Sequence, residues 1–119
     1  MARDTSEIRL DPRVEVRLRA FVFGASPERP EIEVETCNLS VGGALCRSSV
    51  PMPLGKPIRL EIDLPHESGS AHSIVLEAIA VRVSQSGPFI TAFHFVDVPP
   101  RVLDILGRFV LGSLPAAAP

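Results

Sequence analysis

The chain has 119 residues, 45% of them apolar, and a formal net charge of −2 at pH 7. That length and apolar fraction suit one domain with its own core and exclude a disordered chain. The slightly acidic balance excludes a sequence-independent DNA or RNA binder, which needs a basic surface, but leaves room for one local basic site.

Residues 1–13 are polar and aperiodic and read as a flexible arm ending near Asp11-Pro12. The start, MARDTSEIRL, has no apolar core of a secretory signal, and no run approaches about 18 uncharged apolar residues. A cytoplasmic protein with no membrane insertion is the expectation.

From residue 14 the pattern changes. Val14, Val16, Leu18, Ala20 and Val22 alternate with Glu15, Arg17, Arg19, Phe21 and Phe23. A period of two predicts a strand with one buried face. "GASPERP" is turn chemistry. Ile32, Val34 and Thr36 then alternate with Glu31, Glu33 and Glu35, giving a second strand whose carboxylates face solvent. A third short strand runs from Ala44 to about Ser48. After the loop "VPMPLGKP", Ile58, Leu60, Ile62 and Leu64 alternate with Arg59, Glu61 and Asp63 as a fourth strand. Residues 73–83 and 89–96 supply a fifth and a sixth, with turns "PHESGSAH" and "SQSGP" before each. Six short strands separated by turns predict an all-β fold, an antiparallel barrel or a sandwich.

The end of the chain is helical. Val102, Ile105, Leu106, Phe109 and Val110 recur at helical spacing, and Asp104 and Arg108 form an i,i+4 pair. Asp97 is the expected N-cap, Pro99 and Pro100 suit the first turn, and Gly112 is the expected stop. Residues 14–112 thus form the folded unit, and 113–119 read as a disordered tail.

The chemistry-bearing residues are few. Cys37 and Cys46 stand nine positions apart, with His66, His72 and His94 scattered downstream, and this spacing fits no metal site. In a reducing compartment the cysteines are expected to be thiols. No nucleophile–base pair stands out, so no catalytic residue is assigned and the chain does not read as an enzyme. A barrel that stacks sugars on exposed aromatics is disfavoured too, because the chain has no Trp and no Tyr. His94, between Phe93 and Phe95, falls on the opposite sheet face from both.

Two motifs remain. Arginines four apart occur as Arg9-Leu-Asp-Pro-Arg13 and again as Arg13-Val-Glu-Val-Arg17. Asn38-x-Ser40-x-x-Gly43 reads by itself as a turn, with Asn38 and Ser40 bonding local backbone and Gly42 or Gly43 taking a positive φ. A hairpin of the first two strands returns the end of the second to the start of the first. The arginine arm and the Asn-Ser-Gly turn should therefore meet at one end of the sheet.

With "RLDPR" and "NLSVGG" in this order, the chain resembles the PilZ domain family of cyclic di-GMP receptors. That family carries RxxxR on an N-terminal arm and [D/N]xSxxG about two dozen residues later. The later stretch "AIAVRVSQSGPFITAFHFVDVPPRVLDILGRFV" resembles the family's last strands and closing helix, so the likeness spans roughly residues 8–111. Proline before the second arginine favours Arg9 and Arg13 over Arg17, which falls inside the strand alternation. Two departures, "AVRV" where members often have an aromatic and Ala92 where they often have glycine, are expected to bear on packing rather than on the ligand.

The resemblance implies a six-stranded antiparallel β-barrel of split-barrel type with a C-terminal α-helix. It implies a cyclic di-GMP site made of Arg9, Arg13, Asn38, Ser40 and Gly43, with no metal and no cofactor. The arginines would meet phosphates or guanine edges, Asn38 and Ser40 would meet guanine edges or phosphate, and Gly43 would permit close backbone approach. It further implies an arm that orders on ligand and signals to a downstream protein, leaving homodimerisation and the pathway open. The alternative is an adaptor of the same fold that works through protein contacts without the nucleotide.

Overall fold

A computed structural model describes residues 13–24, 31–65, 71–84 and 88–113. The arm up to residue 12, most of three turns and the tail from 114 lie outside the described residues.

The strands are β1 (Arg13–Glu15), β2 (Arg19–Phe23), β3 (Glu31–Ser40), β4 (Gly43–Ser48), β5 (Pro57–Pro65), β6 (Ala71–Val83) and β7 (Phe89–Val96), followed by helix α1 (Pro100–Ser113). Every pairing is antiparallel, and β3-β2-β5-β6-β7-β4 closes back on β3. The result is the expected six-stranded barrel with a C-terminal helix. Closure removes the open sheet edges that a sandwich would leave.

The predicted first strand is interrupted. Arg13–Glu15 pair with Ser40–Asn38, but Arg19 pairs with Glu35, so three residues on one side face two on the other. This is a β-bulge spread over residues 16–18. Thr36 closes the gap. Its hydroxyl accepts from the Leu18 N–H at 2.8 Å and donates to the Val16 carbonyl, while its own N–H donates to the Leu18 carbonyl at 2.9 Å. The buried side therefore survives the break: Val14, Leu18, Ala20 and Val22 are all buried.

A second irregularity lies on the other edge of β3. Thr36 pairs with Cys46 and Asn38 with Leu45, leaving Cys37 as the extra residue. One extra residue exchanges the two faces of a strand beyond it. Val34 and Thr36 point into the core, and beyond the bulge it is Leu39 that does so, fully buried. Strict alternation would have put Asn38 inside instead.

The core is aliphatic. Val22, Leu39, Leu60, Ile62, Leu64 and Leu76 fill the barrel, and Leu106 and Val110 of α1 join the same cluster. The helix packs against β1, β3 and β6. It starts two residues later than an Asp97 cap would dictate. Asp97 is exposed in a left-handed conformation, φ 50°, and Pro99 provides the first helical acceptor, taking the Leu103 N–H at 2.9 Å. Pro100 then occupies the first helical position, where its missing N–H costs nothing. At the other end Gly112 lies within the helix, which continues to Ser113. The predicted Asp104–Arg108 pair forms at 3.2 Å between exposed side chains, which contributes only about 0.3–0.5 kcal/mol.

Two fully buried threonines differ in one respect. Thr36 uses its hydroxyl as donor and acceptor, whereas the Thr91 hydroxyl has no partner among the described residues. The same substitution should therefore act with opposite sign. Thr36→Val is expected to destabilise the protein by about 1–3 kcal/mol, because two backbone groups lose their partner. Thr91→Val should stabilise it by about 1 kcal/mol, since a buried orphan oxygen becomes a methyl. Urea unfolding of both variants checks the pair.

Candidate functional site

The hairpin geometry brings the two motifs into register. Arg13 at the start of β1 pairs directly with Ser40 at the end of β3, and Glu15 with Asn38. Sequence reasoning placed Asn38 and Ser40 in a turn. They are instead the last residues of β3, and only Val41 and Gly42 separate β3 from β4. The Cys37 bulge sends Asn38 away from the core.

Ser40 organises this tip. Its hydroxyl oxygen accepts from the Gly42 and Gly43 N–H groups, both at 3.2 Å, and its O–H points to the Gly43 carbonyl at 3.3 Å. A hydroxyl has one donor and two acceptor sites, so Ser40 is fully engaged in holding the loop. The Gly42 carbonyl accepts from the Phe95 N–H at 3.0 Å and ties the tip to β7.

Gly43 is needed for a different reason than expected. It does not adopt a positive φ; a Cβ at this position would lie 2.3 Å from the Phe93 carbonyl oxygen. The close approach is to the neighbouring strand, and it lets β4 pair with β7 from its first residue, Gly43 opposite His94. Gly107 of α1 faces Val41, so the helix leans on the same hairpin tip.

Arg13, Asn38, Ser40 and Gly43 line one open cleft of about 390 Å³. That volume is within the lower range of small-ligand sites. Four of the five expected site residues are thus together, and the fifth, Arg9, lies outside the described residues. The rest of the lining was not foreseen. It includes Val81 and Arg82 from β6 with Ala92 and His94 from β7. "AVRV" was expected to bear on packing, yet Val81 and Arg82 are both exposed and face the cleft. A bulge causes this: Ala80 pairs with Phe93 and Arg82 with Ala92, leaving Val81 extra and two consecutive side chains outside. Periodicity cannot reveal such a residue, because a bulge is set by the partner strand.

No carboxylate is among the described residues lining this cleft, which include two arginines and a histidine in a chain of net charge −2. The local field favours an anion. Among the described residues no group of His, Cys, Asp or Glu is arranged to hold a metal.

These features agree with what the chain is similar to. The family model described as PilZ domain matches residues 7–112. The chain belongs to the PilZ domain family. Its fold is similar to the PilZ domain with c-di-GMP of YcgR from Escherichia coli, with TM-score 0.70 and 16% identity over 88% of this chain and 90% of that one. It is also similar to the Bacillus subtilis inhibitor of motility MotI/DgrA, with TM-score 0.75 and 20% identity over 87% of this chain. The chain spans about half, 49%, of that protein's length. A third similar structure is the PilZ domain of CeSA from a cellulose-synthesizing bacterium, with TM-score 0.60 and 21% identity over 85% of this chain and 96% of that one. No curated protein matches this PilZ chain.

Both cysteines are free thiols beside this site. Cys37 is half-buried at the bulge before Asn38, and Cys46 is in the core. Burial first, and the neighbouring Cys37 second, push the Cys46 thiol up to about 12 from an ordinary 9.0. The folded state therefore holds this proton between about pH 9 and 12, where the unfolded chain has released it, so stability falls as pH rises through that window. Thiol labelling at pH 8 should modify Cys37 and spare Cys46 until the protein is unfolded, and Cys46→Val should lose this part of the alkaline destabilisation.

Proposed function

We propose that this PilZ chain is a cyclic di-GMP receptor that signals to a protein partner through its N-terminal arm. One observation carries the reading: Arg13 and the Asn38–Ser40–Gly43 tip line a single cleft, with no carboxylate among its described lining residues. Cyclic di-GMP presents two phosphodiester charges and two guanine edges. Arg13 suits either, since a guanidinium binds phosphate oxygens or guanine O6 and N7 in a two-pronged way. Arg9, four residues earlier, would close on the ligand from the arm. Asn38, turned outward by the Cys37 bulge, would bond a guanine edge. Ser40 and Gly43 would act mainly by shaping the tip, because the Ser40 hydroxyl is engaged there.

The output is a change in order rather than catalysis. The arm carries Arg9 and leads directly into β1. Ligand contacts at Arg9 and Arg13 would fix it over the barrel end and create a surface for a downstream protein. No metal and no cofactor take part.

Titration calorimetry with cyclic di-GMP tests the site and gives its stoichiometry. Arg13→Ala is expected to cost about 2 kcal/mol or more, roughly a thirty-fold loss, because a charge-assisted pair disappears. Asn38→Asp should change affinity by less than about ten-fold, since it alters the charge of one hydrogen bond but not its position. Full affinity in the Arg13 variant would remove that residue from the site. No heat with the unmodified chain would leave the adaptor reading in its place.

Hydrogen exchange tests the switch separately. Residues 5–15 should exchange more slowly at saturating cyclic di-GMP than without it. Unchanged exchange there, with binding established by calorimetry, would rule out arm ordering as the output.

A further inference from the structure

The part of the cleft formed by β6 and β7 is unassigned by the two motifs. It is built by the β6 bulge, which turns Val81 and Arg82 outward together. Val81 is 59% exposed and lines the cleft. Arg82 is exposed, and its guanidinium forms no ion pair among the described residues. His94 stands on the adjacent strand and lines the same cleft.

We infer that Arg82 is a guanine-reading residue, with Val81 and His94 as the surface on which that base rests. The inference builds on the cyclic di-GMP reading above and adds a recognition element outside both motifs. The neighbours of Arg82 decide between its two chemistries. A phosphate is best met by several N–H donors, and the Gly42 and Gly43 amides that could help are already bonded to Ser40. An exposed valine offers a phosphate nothing. A valine and an imidazole together suit a flat base, whose face packs on apolar surface and stacks on planar groups. The guanidinium then meets the base's O6 and N7 edge in two parallel hydrogen bonds, a pairing that adenine's amino group forbids. Arg13 lines the same cleft, so the ligand would meet two arginines there.

The test pairs Arg82→Ala with cyclic di-GMP and with its 7-deazaguanine analogue, which lacks the N7 acceptor. Arg59→Ala, an exposed arginine on β5 away from the cleft, is the control, and thermal melting verifies folding. Arg82→Ala is expected to weaken cyclic di-GMP binding at least ten-fold, with Arg59→Ala unchanged. The unmodified protein should bind the analogue several-fold less well, and the Arg82 variant should no longer distinguish the two ligands. Unchanged affinity in the Arg82 variant overturns the inference while leaving the receptor reading intact. So does weakened binding with full sensitivity to the missing N7, which would make Arg82 a charge contact only. Failure of the unmodified protein to bind cyclic di-GMP overturns the receptor reading, and this inference with it.

Discussion

The site depends on a single surplus residue in β3. Without the Cys37 bulge, the alternation that buries Val34 and Thr36 would bury Asn38 and expose Leu39. A buried amide without partners is costly, and an exposed leucine would lose its contribution to the core. The bulge resolves both, delivering Leu39 to the interior and Asn38 to the cleft. It is tolerable because Thr36, immediately before it, supplies the hydrogen bonds that the interrupted first strand cannot make. The β6 bulge at Val81 does the corresponding thing at the β6 side of the cleft. Barrel closure demands curvature, bulges supply it, and here both stand beside the cleft.

The tip between β3 and β4 is held by short-range constraints that leave little freedom. Ser40 binds the loop amides, the Phe93 carbonyl excludes any side chain at Gly43, and Gly107 of α1 faces Val41. The serine and glycine spacing of the motif is therefore explained by the fold before any ligand is invoked. Arg13 and Asn38 are different. Neither is required by the core, and their placement together in a cleft that also holds Arg82 and His94 is what gives the motif a chemical reading.

Much of this was legible from residue order. The period-two runs at 58–64 and 89–96 and the helical spacing from Val102 to Val110 mark elements whose burial is regular, and each forms as read. The meeting of Arg13 with Ser40 followed from the hairpin alone. Most of what escaped in the strands has one cause. The break at 16–18, the extension of β3 through Ser40, and the outward turn of Arg82 all arise where two paired strands differ by one residue. That difference belongs to the pair and is invisible in either strand. The helix start was misread for a local reason: Asp97 has capping chemistry, but two prolines downstream move the first turn to Pro100.

The break at 16–18 also gives β1 a particular position. It is three residues long and among the described residues pairs only with the end of β3, separated from β2 by the bulge. Yet it carries Arg13 at the cleft and touches α1 on its other side. A short strand of this kind has few hydrogen bonds of its own, so its order depends on its neighbours more than that of the long strands β5 and β6 does. In the receptor reading, that is the segment through which a ligand held by the arm bears on the helix. The cleft and the helix face are then coupled through three residues, while the rest of the barrel serves as a rigid frame.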